Sequence, residues 1–371
     1  MKQYELGELL PYEQPSKYIV NSTEYDDSYP TPVLTAGKSF ILGYTDETDN
    51  IFDELPVIIF DDFTTATQFV DFKFKVKSSA MKILHINTDL VLPKYIYYSL
   101  KTIHIEHSTH KRYWIQQFSK VKVDIPPIPE QERIVSQIEE SLSQLDSAVE
   151  TLKKTKQQLE VYRQAVLREV FSQCEQSVEI KTVCKHVTDG DHMPPPKAET
   201  GIPFIMISNI NGNIIDWSDT SFVGKEYYNT IGDKRTPQKG DVLYTVTGSF
   251  GIPVLIDFEK EFCFQRHIAL LRPNEKIEQE FLYYALQDNI VYAQASKRAT
   301  GTAQKTVGLT VLRTIKIPFT TSIEKQSMMV SIIKNRLSQC DMVEKTVNQS
   351  LQQAEALQQS ILKQAFEEKK R

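Results

Sequence analysis

Two long stretches of the chain carry a stripe of apolar residues, which in the first stretch recur in steps of four and three. In the first stretch these residues are Ile134, Ile138, Leu142, Leu145, Val149 and Leu152. In the second they are Ile333, Leu337, Cys340, Val347, Leu351, Leu357 and Ile361. A stripe this narrow is typical of a helix that pairs with another long helix. The pattern predicts two helices of about 43 residues, each roughly 65 Å long at ~1.5 Å rise per residue.

The two stretches are diverged copies of one another. The sequence LSQLD, ending at Asp146, recurs as LSQCD, ending at Asp341, and the stretches themselves close on Phe171 and Phe366. Both pairs of residues are 195 positions apart. A duplication of this length predicts two globular-plus-helix units in one pseudo-twofold chain. Such a chain suits a pseudo-twofold target, and duplex DNA is one.

The matched stripes favour pairing within the chain. A lone amphipathic helix more commonly forms a coiled coil between two molecules, so a homodimer is the alternative. Two stripes joined by one globular segment, however, are present at high effective concentration relative to each other. We therefore expect an intramolecular antiparallel coiled coil, with the chain forming its second domain before it returns along the second helix.

The remaining sequence predicts two domains that contain strands and short helices. Runs of β-branched and aromatic residues predict strands at 56–60, 72–76, 241–245 and 268–271. The segments 95–100 and 281–286 match each other and predict a short helix in each domain, and Ile125-Pro126 matches Ile317-Pro318 where each domain meets its helix. The predicted fold class is α+β, with α/β domains at 1–123 and 176–316 and helical regions at 124–175 and 317–371.

The composition is that of a globular protein without a general affinity for nucleic acid. A chain of 371 residues is too long to fold around one ordinary hydrophobic core. The formal net charge of -5 argues against indiscriminate coating of nucleic acid. The start of the chain lacks the apolar run of a signal peptide, and no stretch approaches the ~20 apolar residues that span a bilayer. The four cysteines lack CxxC spacing. We expect a cytoplasmic protein with no metal site and no membrane partner.

Each domain ends in a basic window that contains no acidic residue. The first window contains His107, His110, Lys111, Arg112, Lys120 and Lys122, with Tyr113 and Trp114 among them. The second contains Lys297, Arg298, Lys305, Arg313 and Lys316. Lysine and arginine beside a duplex contact its phosphates. A solvated surface is the usual interpretation of one such window, but recurrence at equivalent places makes DNA contact a hypothesis of comparable weight.

Three loops contain side chains suited to hydrogen bonds with base edges. These side chains are Thr64, Thr65, Thr247, Ser249, Thr302 and Gln304. Gln304 has the amide group that pairs with adenine, while Arg112 and Arg298 have the guanidinium group that pairs with guanine. For each loop taken alone, ordinary turn chemistry is the alternative.

No motif predicts a catalytic or cofactor site. The GKS sequence at 37–39 resembles the end of a phosphate-binding loop, but Pro32 occupies the place of the required first glycine. The DIPP sequence at 124–127 resembles an aminomethyltransferase motif only superficially, since an isoleucine interrupts it. The segment 189–192 contains two aspartates and a histidine, but no second group lies at metal-ligand spacing, which favours a loop.

The entry to the first helix is the most specific motif in the chain. Its sequence, IPPIPEQERIV at 125–135, resembles the proline-rich start of the central conserved helix in specificity (S) subunits of Type I restriction–modification systems. The second copy, at 317–326, lacks the second proline and has three extra residues. GDVLY at 240–244 and TAGK at 35–38 resemble the target-recognition domains of the same family, which adds Lys38 to the candidate DNA contacts.

The resemblance implies a non-catalytic subunit that recognises double-stranded DNA. Each target-recognition domain would bind one half of a bipartite, asymmetric site, and the paired helices would set the gap between the halves. Two methyltransferase (M) subunits would dock on the helices and supply S-adenosylmethionine. Restriction (R) subunits would add ATP-driven cleavage with Mg²⁺. No cofactor is expected in this chain, and the family implies a prokaryotic cytoplasm.

Three alternatives are open at this point. The sequence also suits the specificity subunit of a related system whose partner fuses nuclease and methyltransferase. A coiled-coil scaffold without a DNA role predicts no loss of function on charge reversal at Lys111, Arg112, Lys297 or Lys305. An enzyme in its own right predicts DNA methylation by the purified chain alone.

Overall fold

The structure, a computed structural model, is described at residues 1–35, 40–103, 105, 112–302 and 304–367. The chain forms two compact units: unit 1 is Met1–Leu152 with Gln349–Arg371, and unit 2 is Lys153–Asn348. Each unit contains one globular domain and part of both long helices. We call these globular parts domain 1 and domain 2. The predicted four-part division of the chain is not tested by this partition and stays a prediction.

Domain 1 is built from short strands and helices. Its strands are β1 (Lys2–Glu5), β2 (Tyr12–Glu13), β3 (Thr31–Leu34), β4 (Ile41–Thr45), β5 (Val57–Asp61), β6 (Thr67–Val70), β7 (Lys75–Val76), β8 (Met81–His85) and β9 (Lys122–Ile125). Its helices are α1 (Leu6–Leu9), α2 (Pro93–Lys101) and α3 (Tyr113–Gln116), with 3-10 turns at Pro15–Tyr18 and Phe118–Lys120. The first long helix, α4, then spans Ile128–Phe171.

Domain 2 follows α4 in the chain. Its strands are β10 (Gln176–Glu179), β11 (Cys184–Asp189), β12 (Lys197–Ala198), β13 (Ile202–Ile205), β14 (Ile210–Asn211), β15 (Ile214–Ile215), β16 (Ser221–Val223), β17 (Val242–Thr245), β18 (Pro253–Leu255), β19 (Cys263–Phe264), β20 (Ile268–Pro273) and β21 (Lys316–Phe319). Its helices are α5 (Ile180–Val183), α6 (Lys225–Tyr228), α7 (Gln279–Ala285), α8 (Asn289–Arg298) and α9 (Leu309–Arg313), with a 3-10 turn at Ile207–Asn209. The second long helix, α10, spans Ile323–Glu367.

The two domains have equivalent first sheets. Domain 1 contains an antiparallel sheet in the order β2-β8-β5-β6, and domain 2 contains one in the order β11-β20-β17-β18. Each domain also has a second sheet in which one pair of strands is parallel, β3 with β7 and β13 with β19. The strand β5 is buried along its length because its side chains enter apolar cores on both faces of the sheet, Ile58 and Phe60 on one face and Val57 and Ile59 on the other. The duplication predicted from the helices therefore extends to the domains.

Most predicted strands are confirmed, and one is wrong over most of its length. The strands predicted at 56–60, 241–245 and 268–271 correspond to β5, β17 and β20, and the predicted short helices correspond to α2 and α7. In the FKFKV run at 72–76, only β7 is a strand. Phe74 forms an isolated bridge to Phe52, and the chain then pairs with β3. The alternating pattern is real, but the segment changes partner too soon for a longer strand.

The strand that leads into each long helix corrects the alignment of the two copies. β9 pairs with β1 so that Lys122 lies opposite Glu5, and β21 pairs with β10 so that Lys316 lies opposite Glu179. The residue at the end of the strand is thus Ile125 in the first copy and Phe319 in the second. Matching Ile125 to Ile317 was therefore wrong. The second copy has one extra residue before its helix, not three.

A buried glutamine joins each domain to its following helix. Gln131 and Gln326 are both fully buried. The Gln131 Oε1 accepts a hydrogen bond from the Leu92 backbone N–H at 2.8 Å, and its Nε2 donates to the Pro126 carbonyl at 2.9 Å. The Gln326 Oε1 accepts from the Glu278 backbone N–H at 2.8 Å. Since Leu92 and Glu278 immediately precede α2 and α7, each glutamine satisfies an amide at a helix N-terminus.

Gln326 makes two further hydrogen bonds. Its Nε2 donates to the Lys276 carbonyl at 2.9 Å and to the Thr320 carbonyl at 2.8 Å. Thr320 occupies the place of Pro126, which supports the corrected alignment. A surface ion pair recurs nearby with its signs reversed: Lys94 with Glu139 at 3.1 Å in unit 1, and Glu280 with Lys334 at 2.8 Å in unit 2.

The long helices pair with each other in antiparallel fashion within each unit. In unit 2, Lys156 contacts Asn348, Arg163 contacts Asp341 and Glu344, and Glu169 contacts Arg336. Positions rise along α4 as they fall along α10. In unit 1 the start of α4, with Ile134 and Ile138, shares one core cluster with the end of α10, including Leu362 and Ala365. The predicted fold class, α+β with two domains and an intramolecular antiparallel helix pair, is confirmed.

The predicted stripe is correct along α4 but drifts near the end of α10. Ile138 is buried, and the residues that follow it in the stripe, Leu142, Leu145, Val149 and Leu152, are half-buried. On α10 the buried positions are Leu337, Cys340, Val347 and Ala354, and Leu351 is half-buried. Leu357 was wrongly included, since it is 50% exposed. Ile361 is half-buried while Leu362 is buried, because a helix of ~3.6 residues per turn drifts ahead of a seven-residue repeat.

Candidate nucleic-acid interface

Three loops of domain 2 lie side by side at one end of its first sheet. The turn between β17 and β18, at 246–249, is the middle one. The Val246 N–H donates to the His267 carbonyl at 2.9 Å on one side. On the other side the Val307 N–H donates to the Val246 carbonyl at 2.8 Å, and the Gly248 N–H donates to the Lys305 carbonyl at 2.9 Å. We call the surface formed by 246–249, 265–267, 299–302 and 304–307 the domain 2 loop surface.

This surface brings together candidates that are far apart in sequence. Ser249, Thr302, Gln304 and Lys305 are all exposed on it. Thr247 is buried, and its hydroxyl lies 3.3 Å from that of Thr306. Thr247 therefore holds two loops together, whereas the other four side chains are available to a ligand.

Lys297 and Arg298 occupy the last turn of α8, immediately before the third loop. Both are exposed. The Arg298 Nη2 donates a hydrogen bond to Thr314 Oγ1 at 2.6 Å, so its guanidinium is held near α9 but keeps other donors. Arg313, from the same basic window, donates to the Val187 carbonyl at 2.7 Å and is half-buried. Only part of the basic window is therefore a free cationic surface.

Sequence analysis missed an arginine and a histidine of the same surface. Arg266 and His267 lie in the turn between β19 and β20, and Arg266 is exposed. They line a cavity of about 450 Å³ together with His192, Lys197 and Gln265. The sequence QRH, directly before a predicted strand, could have identified Arg266 and His267 as polar loop residues. It gave no indication, however, that this turn lies beside Thr247.

The acidic residues near this cavity have partners of their own. The Tyr227 hydroxyl donates to Asp191 at 2.5 Å, and the His192 Nε2 lies 2.9 Å from Asp189. Burial and, to a smaller extent, the hydrogen bond to Asp191 raise the pKa of Tyr227, so the phenol stays a protonated donor. Arg235 lies within 4 Å of both aspartates. Among the described residues no group of three or more acidic, histidine or cysteine side chains is arranged to hold a metal ion.

Domain 1 has a corresponding turn between β5 and β6. Asp61 accepts hydrogen bonds from the Phe63 N–H at 2.8 Å and from the Thr64 hydroxyl at 2.8 Å, which fixes the turn. Thr65 adopts a positive φ of 60°. Thr64 is exposed and Thr65 half-buried.

The next residue, Asp62, fixes this turn to the basic window. Its carboxylate is buried, accepts from the Trp114 N–H at 2.8 Å and lies 3.4 Å from the Lys82 Nζ. Arg112, two residues before Trp114, is exposed. Tyr113 is buried in the domain core, so its ring contributes to packing. Lys38, His110 and Lys111 lie outside the described residues.

We call the turn at 61–66 together with Arg112 the domain 1 loop surface, and both loop surfaces carry side chains suited to binding. They present hydroxyl, amide, imidazole and guanidinium donors, the groups that contact base edges and phosphates. Which of these side chains contact DNA stays a prediction.

Comparison with known proteins identifies the family to which this chain belongs. The family model for the Type I restriction modification DNA specificity domain matches residues 1–161 and 176–353. The chain is thus a protein with two copies of a DNA-specificity domain, each followed by a long helix. It belongs to the Type I restriction modification DNA specificity family, as the sequence predicted. The relatives described next are named as specificity subunits, the class that the resemblance implied.

Individual relatives cover different shares of the chain. The Escherichia coli EcoR124I/EcoR124II specificity subunit is 54% identical over 126 residues, 33% of this chain and 31% of that subunit. The chain therefore matches under a third of that relative's length. The MjaVIII specificity subunit of Methanocaldococcus jannaschii is 23% identical over 89% of this chain and 84% of that subunit. The EcoBI subunit of Escherichia coli is 26% identical over 65% of this chain and 57% of that subunit.

A solved structure shares the fold. A chain from the work "Structural basis underlying complex assembly and conformational transition of the type I R-M system" superposes with a TM-score of 0.65 at 15% identity, covering 98% of this chain and 99% of that one. In the described ranges, none of the helices combines the length and the apolar character needed to cross a bilayer.

Proposed function

We propose that this chain is the specificity subunit of a Type I restriction–modification enzyme and recognises a bipartite, asymmetric DNA site. Each domain contacts one half of the site with the loops at the end of its first sheet. The observation that supports this most strongly is the contrast between frame and loops. The first sheet has an equivalent strand order in both domains, whereas the turns at 61–66 and 246–249 have unrelated sequences.

In domain 2, Gln304 and Arg266 are suited to base edges and Lys305 to phosphate. The chain's formal net charge of -5 gives no general attraction to DNA, so binding depends on local cationic groups. Domain 1 contributes Arg112 and the Thr64 hydroxyl in the same way.

Two methyltransferase subunits and restriction subunits complete the proposed enzyme. S-adenosylmethionine, ATP and Mg²⁺ bind to those partners, and the target adenine is flipped into the methyltransferase pocket. The complex works in a prokaryotic cytoplasm. A related system with a fused nuclease–methyltransferase partner is the second candidate, since this chain's frame suits either partner.

Mapping methylated adenines across the genome tests the proposal. We compare cells that contain the chain with cells that lack it. The expected result is a split sequence motif that is methylated only when the chain is present. An identical methylation map in the two strains would contradict the proposed function.

A further inference from the structure

One groove recurs in both units at the place where a long helix ends against a domain. In unit 2 it lies between the end of α4 and β21, is lined by Arg168, Phe171 and Lys316 and encloses about 560 Å³. In unit 1 it lies between the end of α10 and β9, is lined by Lys363 and Phe366 among others and encloses about 660 Å³. We call these the unit 2 groove and the unit 1 groove.

The cationic linings of the two grooves correspond residue by residue. Lys363 lies 195 positions after Arg168, the spacing of the duplicated helices. Lys316 corresponds to Lys122, which also lines the unit 1 groove, through the matching strand registers of β21 and β9. The two cations of each groove thus come from the same elements, one from a helix end and one from a strand.

The aromatic floor recurs as well. Phe171 packs edge-on against Phe281 of α7 with ring centroids 5.3 Å apart, and Phe366 packs edge-on against Tyr95 of α2 at the same distance. Each groove thus has a rigid aromatic base formed by a helix end and its neighbouring domain.

The cations of these grooves are available to a ligand. Arg168, Lys316 and Lys122 are exposed, and among the described residues none of them forms an ion pair. Lys363 lies 3.7 Å from Glu367 in a surface pair whose side chains are both mostly exposed, and such a pair is weak enough to leave the lysine open to a ligand.

The carboxylates that line the grooves are engaged. In the unit 2 groove Asp288 is buried and caps α8 through the Ile290 N–H, while Glu175 pairs with Lys325. In the unit 1 groove Asp124 accepts a hydrogen bond from Gln3.

An apolar wall accompanies the charges. Ile290 lines the unit 2 groove and is 57% exposed, and Ile103 lines the unit 1 groove and is half-buried. Apolar surface beside exposed cations suits a segment that combines carboxylates with apolar side chains.

We propose that the two grooves are equivalent docking sites for the same acidic, partly apolar segment in each of two copies of the methyltransferase partner. This inference rests on the proposed function. One chain binds two identical partners in the same way only when it presents the same surface twice. The loop surfaces differ between the domains, whereas the grooves keep their cations, aromatic floor and apolar wall.

The test counts partners on the full chain. The chain is co-expressed with the methyltransferase (M) subunit of its own system, and the stoichiometry of the purified complex is measured by native mass spectrometry. One variant combines Arg168→Glu with Lys316→Glu, and the other combines Lys122→Glu with Lys363→Glu. Each is expected to lower the stoichiometry from two M subunits to one, with affinity at the altered groove about 100-fold weaker. The fourfold variant is expected to bind none.

Lys153→Glu with Lys154→Glu is the matched control, because both lysines are exposed on α4 and outside the grooves. It should keep two M subunits. Glutamine at the four groove positions provides a milder series, expected to weaken binding less than glutamate, and circular dichroism checks that every variant folds.

Two results would overturn the docking sites alone: two M subunits on the fourfold variant, or a loss of DNA affinity with stoichiometry unchanged. A wild-type chain that binds no M subunit at all would overturn the proposed function together with this inference.

Discussion

Replacing Gln326 with alanine should destabilise unit 2 more than replacing Gln131 destabilises unit 1. The Gln326 amide satisfies three backbone groups, the Glu278 N–H and the Lys276 and Thr320 carbonyls, whereas Gln131 satisfies two. Each buried group left without its partner costs roughly 1–1.5 kcal/mol. The expected losses are about 3–4.5 kcal/mol for Gln326→Ala and about 2–3 kcal/mol for Gln131→Ala.

Hydrogen–deuterium exchange measured by mass spectrometry on the full chain resolves the two effects. A chain of two units does not unfold in one step, so a local measurement is needed. Gln326→Ala should accelerate exchange around Glu278 by about two to three orders of magnitude and leave the Leu92 region unchanged. Gln157→Ala and Gln352→Ala, at exposed positions of α4 and α10, are the controls. Unchanged exchange at Glu278, or a larger effect for Gln131→Ala, would refute the reasoning.

Glutamate at position 326 adds a pH dependence of known sign. The carboxylate still accepts the Glu278 N–H, but it cannot donate to the Lys276 and Thr320 carbonyls. Burial raises the pKa of such a carboxyl group above its value of ~4.3 in the unfolded chain. The protonated form donates to one carbonyl, so its stability is fully present below the unfolded pKa and is lost as pH rises through the folded pKa. Exchange at Glu278 should therefore slow towards acidic pH in Gln326→Glu, after correction for intrinsic exchange, and not in Gln326→Ala.

Three further predictions concern the interface and its support. Lys305→Glu should weaken binding to the methylated motif by about 10-fold or more and reduce the salt dependence of binding, whereas Lys345→Glu on α10 should not; equal affinities in a filter-binding titration would contradict the loop surface. Asp62→Ala leaves Lys82 buried without its partner and should cost about 3 kcal/mol, and a thermal midpoint within 1 °C of wild type would show that the pair is not needed. Exchanging residues 1–123 for a homologous domain should change only one half of the methylated motif, and a change in both halves would disprove modular recognition.

The helix pair is predictable from sequence because its cause is local. Apolar residues recur along one face of each long helix, and two such helices in one chain can pair without a partner molecule. The prediction fails at Leu357 because this residue lies six positions after Leu351, off the four-and-three spacing, which continues instead through the buried Ala354. Glu344 occupies a position where the repeat expects an apolar residue, and Arg163 pairs with it across the helices. No rule of periodicity predicts that polar layer.

The role of Gln131 illustrates what a sequence cannot show. It lies inside the most specific motif of the chain, yet a glutamine in the first turns of a surface helix is ordinarily exposed. Its partner, Leu92, is 39 residues away along the chain. The pairing depends on how α2 packs against α4, and local propensity contains no information about that packing.

The candidate interface was predictable in outline and not in detail. Exposed side chains such as Lys305 and Gln304 could be chosen because polar residues in loops are ordinarily exposed. Tyr113 lies in the same kind of basic window, but its ring is buried. Arg266 was missed because its turn is brought beside Val246 by the pairing of β17 with β20 and by the hydrogen bond from the Val246 N–H to the His267 carbonyl. Such contacts between distant loops follow from sheet topology.

The reversed ion pairs indicate what the duplicated frame requires. Lys94 with Glu139 and Glu280 with Lys334 occupy equivalent places with opposite signs, so complementarity is kept while the residues change. The glutamine bridges, in contrast, act on backbone groups and do not depend on the neighbouring side chains. A frame fixed through backbone atoms tolerates wide change in the loops that it supports. This property allows one topology to present two different loop surfaces in a single chain.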